Sequence, residues 1–252
     1  MITFDRVRAG RRAVVGIATC IVVCGALAQE AAQPKVREGD KWVYIVKTEG
    51  PTVPSATRKW EATVVRASTG SMVIASKPTD SNLPAREAML APDWTRSASV
   101  NGKLITTIKD FDFPLQIGKK WEVAFENERP NDRVKLTKNM KRYTVVAWEE
   151  VKVPAGTFKA LKIEADGEWF NDFEASPTVS STVSQSGPSG SATGSVNRNP
   201  MQRGPATGKL YKAVWYVPEI KREVKMIDES FGADGTMGSR TTAELESHSV
   251  QP

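Results

Sequence analysis

The residue types that carry most enzyme chemistry are scarce in this sequence. It contains one histidine, His248, close to the C-terminus, and two cysteines, Cys20 and Cys24, near the N-terminus. A residue near a chain end is usually poorly tethered and makes a poor catalytic base. The sequence therefore predicts neither Ser-His-Asp nor Cys-His catalysis, and no Cys/His zinc site. It also has no P-loop and no Gly-x-Gly-x-x-Gly after a strand, so we expect no nucleotide cofactor.

Carboxylates are the remaining candidates for chemistry. Asp110 and Asp112 flank one residue and would share a face of a strand, and Glu149 and Glu150 are adjacent. Paired carboxylates can hydrolyse glycosides, and with further oxygen ligands on a loop they can bind Ca²⁺. A chain with 29 acidic residues contains such pairs by chance, so we interpret them as solvated surface or turn residues. The sequence assigns no catalytic, cofactor-binding or metal-binding residue.

The first 28 residues have the features of a secretory signal peptide. A segment with four arginines precedes an apolar run from Ala13 to Cys24, and Ala26-Leu27-Ala28 follows. The run is too short to span a bilayer stably, and the small residues fit a signal-peptidase site, so we predict cleavage after Ala28. An uncleaved N-terminal anchor is the alternative. The prediction is export to the periplasm, with no stable membrane span after cleavage.

Cleavage would change the composition of the chain. Both cysteines would be lost, and with them any disulfide. A lipoprotein signal is less favoured because it needs a small residue before the modified cysteine, whereas Thr19 precedes Cys20 and Val23 precedes Cys24. Removing four arginines and one aspartate takes the formal net charge from +6 to +3. Acidic and basic residues are interspersed in the remainder, so we expect no nucleic-acid partner.

Period-two alternation of apolar and polar residues dominates the rest of the chain. Asn101-Gly102 predicts a tight hairpin turn, and the long strand at 134–149 should bend or bulge. Strands are predicted at 42–46, 60–66, 71–75, 95–100, 103–108, 120–126, 134–149, 157–169, 210–216, 223–228 and 240–246. Without intervening helices they indicate a single all-β domain over 29–252. We expect a curved antiparallel sheet, a sandwich or a partly open barrel, of which a lipid-carrier-like half-barrel is one form.

One segment departs from this pattern. Residues 176–208 are mostly Ser, Gly, Pro, Thr and Asn, with almost no large apolar side chain. Such a stretch buries too little apolar surface to offset its ordering entropy, so we predict a disordered insertion between two strands that would otherwise form a hairpin. A tolerated loop is the preferred interpretation, and a mobile lid or partner-binding segment is the alternative.

The seven tryptophans fall in or directly beside the predicted strands, where large aromatic side chains usually pack a core. Some of them could instead line an apolar ligand groove. Trp215 and Tyr216 are adjacent, so in a strand they point to opposite faces, and one would be free for contact. The residues proposed for a ligand groove or a structural motif are Trp121, Phe158, Trp215 and Tyr216.

Three motifs occur in order between residues 111 and 228. They are Gly118-Lys119-Lys120-Trp121, Val153-Pro154-Ala155-Gly156-Thr157-Phe158 and Trp215-Tyr216-Val217-Pro218. This order resembles a family of exported proteobacterial proteins that contain a domain of unknown function. The resemblance implies a β-rich envelope fold similar to periplasmic lipid-carrier half-barrels, and it supplies no catalytic residue. The Pro-Ala-Gly segment also predicts a tight turn. A related Gly-x-Lys-Trp string at 39–42 reflects either an internal duplication or chance.

Three functions follow from these observations, in decreasing order of preference. The first is a non-catalytic binding or carrier protein for an apolar or amphiphilic small molecule. The second is an envelope module that contacts another protein or a cell-wall polymer, for example by strand addition. The third is a carboxylate-based hydrolase, which needs two acids facing each other in a cleft. The scarcity of catalytic residue types places the enzyme last.

Overall fold

The computed structural model describes residues 30–51, 54–100, 102–174, 179–187, 190–198 and 204–252, with the backbone alone over 179–198. The predicted signal peptide lies outside the described residues. The strands are β1 (Lys41–Glu49), β2 (Ala56–Ala67), β3 (Met72–Pro78), β4 (Arg86–Leu90), β5 (Arg96–Val100), β6 (Lys103–Ile108), β7 (Lys120–Asn131), β8 (Val134–Val153), β9 (Gly156–Phe173), β10 (Val179–Gly187), β11 (Gly190–Arg198), β12 (Ala206–Val217), β13 (Arg222–Gly232) and β14 (Met237–Ser249). A 3₁₀ turn, Pro218–Ile220, connects β12 to β13.

Ten of these strands form one antiparallel sheet, in the order β4-β3-β2-β1-β14-β13-β12-β9-β8-β7. Within the described residues the sheet is open, and β4 and β7 are its edges. The hairpins β5–β6 and β10–β11 each form a separate two-stranded ladder. The prediction of an all-β, antiparallel and unclosed architecture is therefore confirmed.

Most of the local predictions are also confirmed. Each predicted strand has a counterpart, and β8 has register shifts at Val134/Leu136 and Val145/Ala147 where a bulge was expected in a long strand. Val153 pairs with Gly156, so the predicted tight turn is present. Asn101 lies outside the described residues, but the pairing of Val100 with Lys103 leaves the expected two-residue connection. The sequence did not predict β4, whose five residues show no clear alternation.

The segment predicted to be disordered contains paired backbone. β10 and β11 pair with each other along their whole length, and β12 begins at Ala206, inside the predicted insertion. A physical reason is that β9 and β12 are neighbours in the sheet, which brings the ends of the insertion together. Its backbone groups can then satisfy one another without a core. Because this hairpin forms its own ladder, we still interpret the segment as an insertion.

A long connection covers one face of the sheet, which we call the inner face. Residues 91–119, including the β5–β6 hairpin, cross this face between β4 and β7. Trp94 meets Trp42 with ring centroids 5.4 Å apart, and Phe111 meets Tyr216 at 5.0 Å. Leu115 is fully buried and its backbone pairs with Ala31. The connection therefore provides the second layer against which the sheet packs.

Trp94 is the tryptophan that does not lie in a strand. It occupies the turn between β4 and β5 with φ of 70°, and its side chain is buried. Its indole N–H donates to the carbonyl of Lys221 at 3.0 Å, and that of Trp42 donates to the carbonyl of Ile220 at 2.9 Å. Two indoles thus bind the backbone of the 3₁₀ turn and fix it against the inner face.

Asp40 joins three distant parts of the chain. Its fully buried carboxylate accepts hydrogen bonds from the backbone N–H of Arg37 at 2.9 Å and of Gln251 at 2.7 Å. The ammonium of Lys221 lies 2.8 Å away. The start of β1, the 3₁₀ turn and the segment after β14 therefore meet at one charged group, which we call the Asp40 node.

Candidate ligand groove

A cavity of about 790 Å³ lies between the β5–β6 hairpin and strands β7, β8, β9 and β12. This volume is within the range of about 300–1,000 Å³ that is common for small-molecule sites. Its apolar lining residues include Val100, Ile105, Phe125, Met140, Trp169 and Phe170. Charged residues also line it: Lys103, Glu126, Lys138 and Glu168. We call this cavity the groove.

The register of the sheet brings three groove residues into one row. Phe125 pairs with Asn139, and Asn139 pairs with Trp169. The indole N–H of Trp169 donates to the carbonyl of Phe231 at 3.0 Å, so its ring reaches across β12. It crosses at Gly208, where a Cβ would lie 2.7 Å from the indole nitrogen. The absence of a side chain at Gly208 therefore allows Trp169 to lie in a fixed position beside the groove.

A smaller cavity of about 230 Å³ adjoins the groove, and both are lined by Phe125 and Asn139. We call it the ionic pocket because charged and hydroxyl side chains make up much of its lining. They are Thr107, Asp110, Lys141, Tyr143, Lys212 and Asp228. The two cavities adjoin at Phe125 and Asn139: buried ion pairs line the smaller one, whereas aromatic rings such as those of Trp169 and Phe170 line the groove.

The charges of the ionic pocket are paired. Lys212 lies 2.6 Å from Asp110 and 3.7 Å from Asp228, and only 7% of its side chain is exposed. Lys141 lies 3.5 Å from Asp228, and the hydroxyl of Tyr143 donates to Asp110 at 3.1 Å. Two lysines thus face two aspartates, and the charged residues that line the pocket sum to zero.

Burial and pairing set the protonation states in this pocket. Burial opposes ionisation of Asp110, but the charge and hydrogen bond of Lys212 outweigh it and hold the pKa of Asp110 below its ordinary value. Burial likewise opposes the charge of Lys212, but Asp110 and Asp228 hold its pKa above the ordinary value. Burial and the nearby Asp110 raise the pKa of Tyr143. At neutral pH the pair is charged and Tyr143 is a neutral donor.

We expect this pair to make stability depend on pH at both extremes. The pKa of Asp110 is lowered, so its contribution is present above the unfolded value of about 3.9 and is lost as pH falls through the folded pKa. The pKa of Lys212 is raised, so its contribution is present below about 10.4 and is lost as pH rises through the folded pKa. Urea unfolding across a pH series checks this. Asp110→Asn should reduce the fall of the unfolding free energy at acid pH, whereas the exposed Asp80→Asn should not. Equal effects of the two substitutions would show that Asp110 is not the source of this pH dependence.

The four residues proposed from the sequence for a ligand groove or a structural motif lie in different surroundings, and none of them lines the groove. Trp121 stacks on Tyr143 at 5.1 Å and donates to the carbonyl of Lys109, so it supports the ionic pocket from one side. Phe158 is half-buried beyond the tight turn, 6.4 Å from the ring of His248. Both have packing roles here.

Trp215 and Tyr216 are both buried, which corrects the expectation that one of them is free for contact. Tyr216 packs between the rings of Phe111 and Phe113. Trp215 donates to Glu149 at 3.0 Å, and charged side chains cover its ring, namely those of Lys162 and Lys225. Both faces of β12 are covered at this point, because long charged side chains bury apolar surface with their stems.

The interpretation of Asp110 as a solvated residue is wrong, and Asp112 is partly exposed, at 28% of its side chain. Asp110 belongs to the ionic pocket, and 20% of its side chain is exposed. Asp112 lies in the connection before β7 and pairs with Lys109 at 2.6 Å and with Lys119 at 3.0 Å. The two acids therefore have separate partners.

No group of three or more His, Cys, Asp or Glu side chains in the described residues is arranged to hold a metal ion. Among the same residues there is no helix with the length and hydropathy needed to cross a membrane.

Two solved structures are similar to this chain. A protein of Bacteroides fragilis, described as exported and as having a YmcC-like fold, is 15% identical with a TM-score of 0.39. A protein of Parabacteroides distasonis, described as a lipoprotein, is 12% identical with a TM-score of 0.45. Each match covers 87% of this chain and 99% of the other. Neither a family model nor a curated protein matches the sequence. Both similarities are distant, so the residues of this chain alone carry the inference of function.

Proposed function

We propose that this protein is an exported, non-catalytic binding protein that holds or carries an apolar or amphiphilic small molecule in the groove. The observation that carries this proposal is the cavity of about 790 Å³ between the β5–β6 hairpin and the sheet. Apolar side chains from a covering hairpin and from a row across the sheet face this space, as in many small-molecule sites. A single chain of methylene groups can bury its surface there.

The ionic pocket supports an amphiphilic rather than a purely apolar ligand. Donors and acceptors such as Tyr143, Lys141 and Asp228 lie where the groove continues past Phe125. An entirely apolar ligand would leave these groups in contact with hydrocarbon, which costs free energy because they lose water. A ligand with one polar end could place that end among the charged and hydroxyl side chains of the ionic pocket and its apolar part in the groove.

The same pairing supports a binding role over hydrolysis. A glycosidase needs one carboxyl group that is protonated near neutral pH and acts as the acid. Asp110 has a lowered pKa, and Lys212 bridges it to Asp228. A carboxylate such as Asp110, held ionised by a lysine, suits a fixed polar surface better than proton transfer.

The proposed compartment is the periplasm, reached by means of the signal peptide predicted over residues 1–28. Cleavage after Ala28 would leave a chain without cysteine. Such a chain cannot form disulfides in an oxidising compartment, so burial and hydrogen bonds must hold the sheet together. The backbone hydrogen bonds of the ten-stranded sheet and the contacts of the Asp40 node are consistent with a fold that is stable without disulfides.

Native mass spectrometry of the mature protein purified from the periplasm tests the proposal. We expect a mass larger than that of the polypeptide, and denaturing extraction should release one class of lipid or other apolar molecule. The same measurement gives the N-terminus and so tests cleavage after Ala28. A ligand-free monomer that also fails to take up added single-chain amphiphiles would overturn the binding proposal.

Ile105→Asp is expected to reduce the bound ligand at least tenfold. Ile105 lines the groove on β6, and an aspartate there would place an unpaired charge beside the ligand chain. A tenfold change corresponds to about 1.4 kcal/mol. Leu104→Asp is the matched control, because Leu104 is the preceding residue on the same strand and is 72% exposed. Both variants are measured by native mass spectrometry; equal losses would show that the groove is not the binding site.

A second candidate function, contact with an envelope protein, is favoured by the edge strand β4. Its outer side lies at the end of the ladder, and Met89 on this strand is 68% exposed. Leu83 just before it is 73% exposed. An exposed edge with apolar side chains can accept a strand from a partner. A photo-crosslinking residue at Met89 should then link to one envelope protein, and an exposed position such as Thr57 should not.

A further inference from the structure

We propose that the ionic pocket takes the uncharged, hydroxyl-bearing head of a single-chain lipid, of the size of glycerol, while the chain lies in the groove. This inference rests on the proposed function and specifies its ligand class. It assigns the polar end of the ligand to the buried end of the space, between Tyr143, Lys141 and Asp228. The apolar chain then extends past Phe125 and Trp169 under the hairpin.

The charge balance of the pocket is the first reason. Two lysines and two aspartates line it, and each charge has an opposite partner within 3.7 Å. An ionised head would add a net charge that the lining does not neutralise, and an uncompensated charge in a desolvated site is costly. A neutral head adds none and leaves the Asp110–Lys212 pair intact.

The mixture of donors and acceptors is the second reason. A hydroxyl group both donates and accepts a hydrogen bond. The lining offers ammonium donors on Lys141 and Lys212 and carboxylate acceptors on Asp110 and Asp228. Lys141 is held less tightly than Lys212, at 3.5 Å from Asp228 with 21% of its side chain exposed. It is therefore the donor best placed to turn toward a ligand without loss of the Asp110–Lys212 pair.

The size of the pocket is the third reason. Its volume of about 230 Å³ is much smaller than the groove of about 790 Å³. The smaller space suits a glycerol-sized head, and the larger space suits the chain.

The inference is tested with two ligands that have the same acyl chain, 1-palmitoylglycerol and palmitate. Each is titrated at neutral pH below the concentration at which it aggregates, and binding is measured by the change in tryptophan emission. We expect the wild-type protein to bind 1-palmitoylglycerol at least tenfold more tightly. Asp228→Asn removes one negative charge from the lining but keeps an acceptor oxygen, so the affinity for palmitate relative to that for 1-palmitoylglycerol should rise at least tenfold. Asp228 is 34% exposed, which makes the substitution compatible with folding. Asp80→Asn, an exposed change of the same charge, should alter neither affinity.

The outcomes separate this inference from the proposed function. If the wild-type protein binds palmitate as tightly as 1-palmitoylglycerol, or if Asp228→Asn leaves the preference unchanged, the inference is overturned while the carrier proposal stands. If neither ligand binds any variant and the purified protein carries no lipid, both are overturned. A thermal unfolding scan of each variant confirms that the affinities refer to folded protein.

Discussion

Asp40→Ala is expected to lower the free energy of unfolding by about 3–5 kcal/mol. The substitution removes the anion that pairs with Lys221, whose side chain is 10% exposed, and leaves a buried ammonium without its partner. It also removes the acceptor of the N–H groups of Arg37 and Gln251. Chemical unfolding in urea measures the loss. Because no residue of the Asp40 node lines the groove or the ionic pocket, the folded variant should bind ligand normally.

Two controls make the Asp40 prediction specific. Asp80→Ala changes the charge equally at an exposed loop position and should shift stability by less than about 0.5 kcal/mol. Asp40→Ala combined with Lys221→Met removes both charges, so it should recover part of the loss. If Asp40→Ala costs less than about 1 kcal/mol, the node is not a major source of stability.

Lys212→Met is expected to lower the free energy of unfolding by about 3 kcal/mol. It leaves Asp110, a residue of the covering connection, with Tyr143 as its remaining hydrogen-bond partner. Replacing the two partners together, as Asp110→Val with Lys212→Met, should recover most of the loss, because an apolar pair can fill the site without desolvating charges. The double variant should also lose the pH dependence described for the pair.

Lys209→Met is the matched control for Lys212→Met. Lys209 lies on the same strand, and it pairs with Glu168 at 2.5 Å, but 68% of its side chain is exposed. Exposed ion pairs contribute about 0–1 kcal/mol, so this variant should remain close to the wild type. A similar loss in both variants would show that the effect comes from strand β12 and not from the ionic pocket.

Sequence alternation predicted many of the strands. When one face of a strand is buried, every second residue is apolar, so the pattern can be recognised within the strand itself. The segments around Trp42, Trp121 and Trp215 are rich in aromatic and β-branched residues, and all three fall in strands. β4 was missed because Arg86–Leu90 is short and contains residues that are also common in helices. The hairpin of β10 and β11 was missed because its composition offers no apolar face, and its backbone pairs nevertheless.

The groove could not be predicted in the same way, because alternation does not say what covers a face. Trp169 and Phe125 have the same pattern as Trp121 and Tyr216, and only the position of residues 91–119 leaves the first two beside a cavity. The role of Asp110 depends on Lys212, 102 residues further along the chain. An acidic residue in a short connection is usually solvated. No local signal therefore distinguished Asp110 from Asp112.

The position of β1 in the sheet has a consequence for the order of assembly. β1 pairs with β2 nearby in sequence, but its other neighbour is β14, and the Asp40 node closes across 211 residues. Contacts of such long range form slowly. A chain that is synthesised from its N-terminus therefore presents β1 as an open edge until β14 is available. Open edges are templates for aggregation, so the interval before that last pairing is when this protein most needs a chaperone.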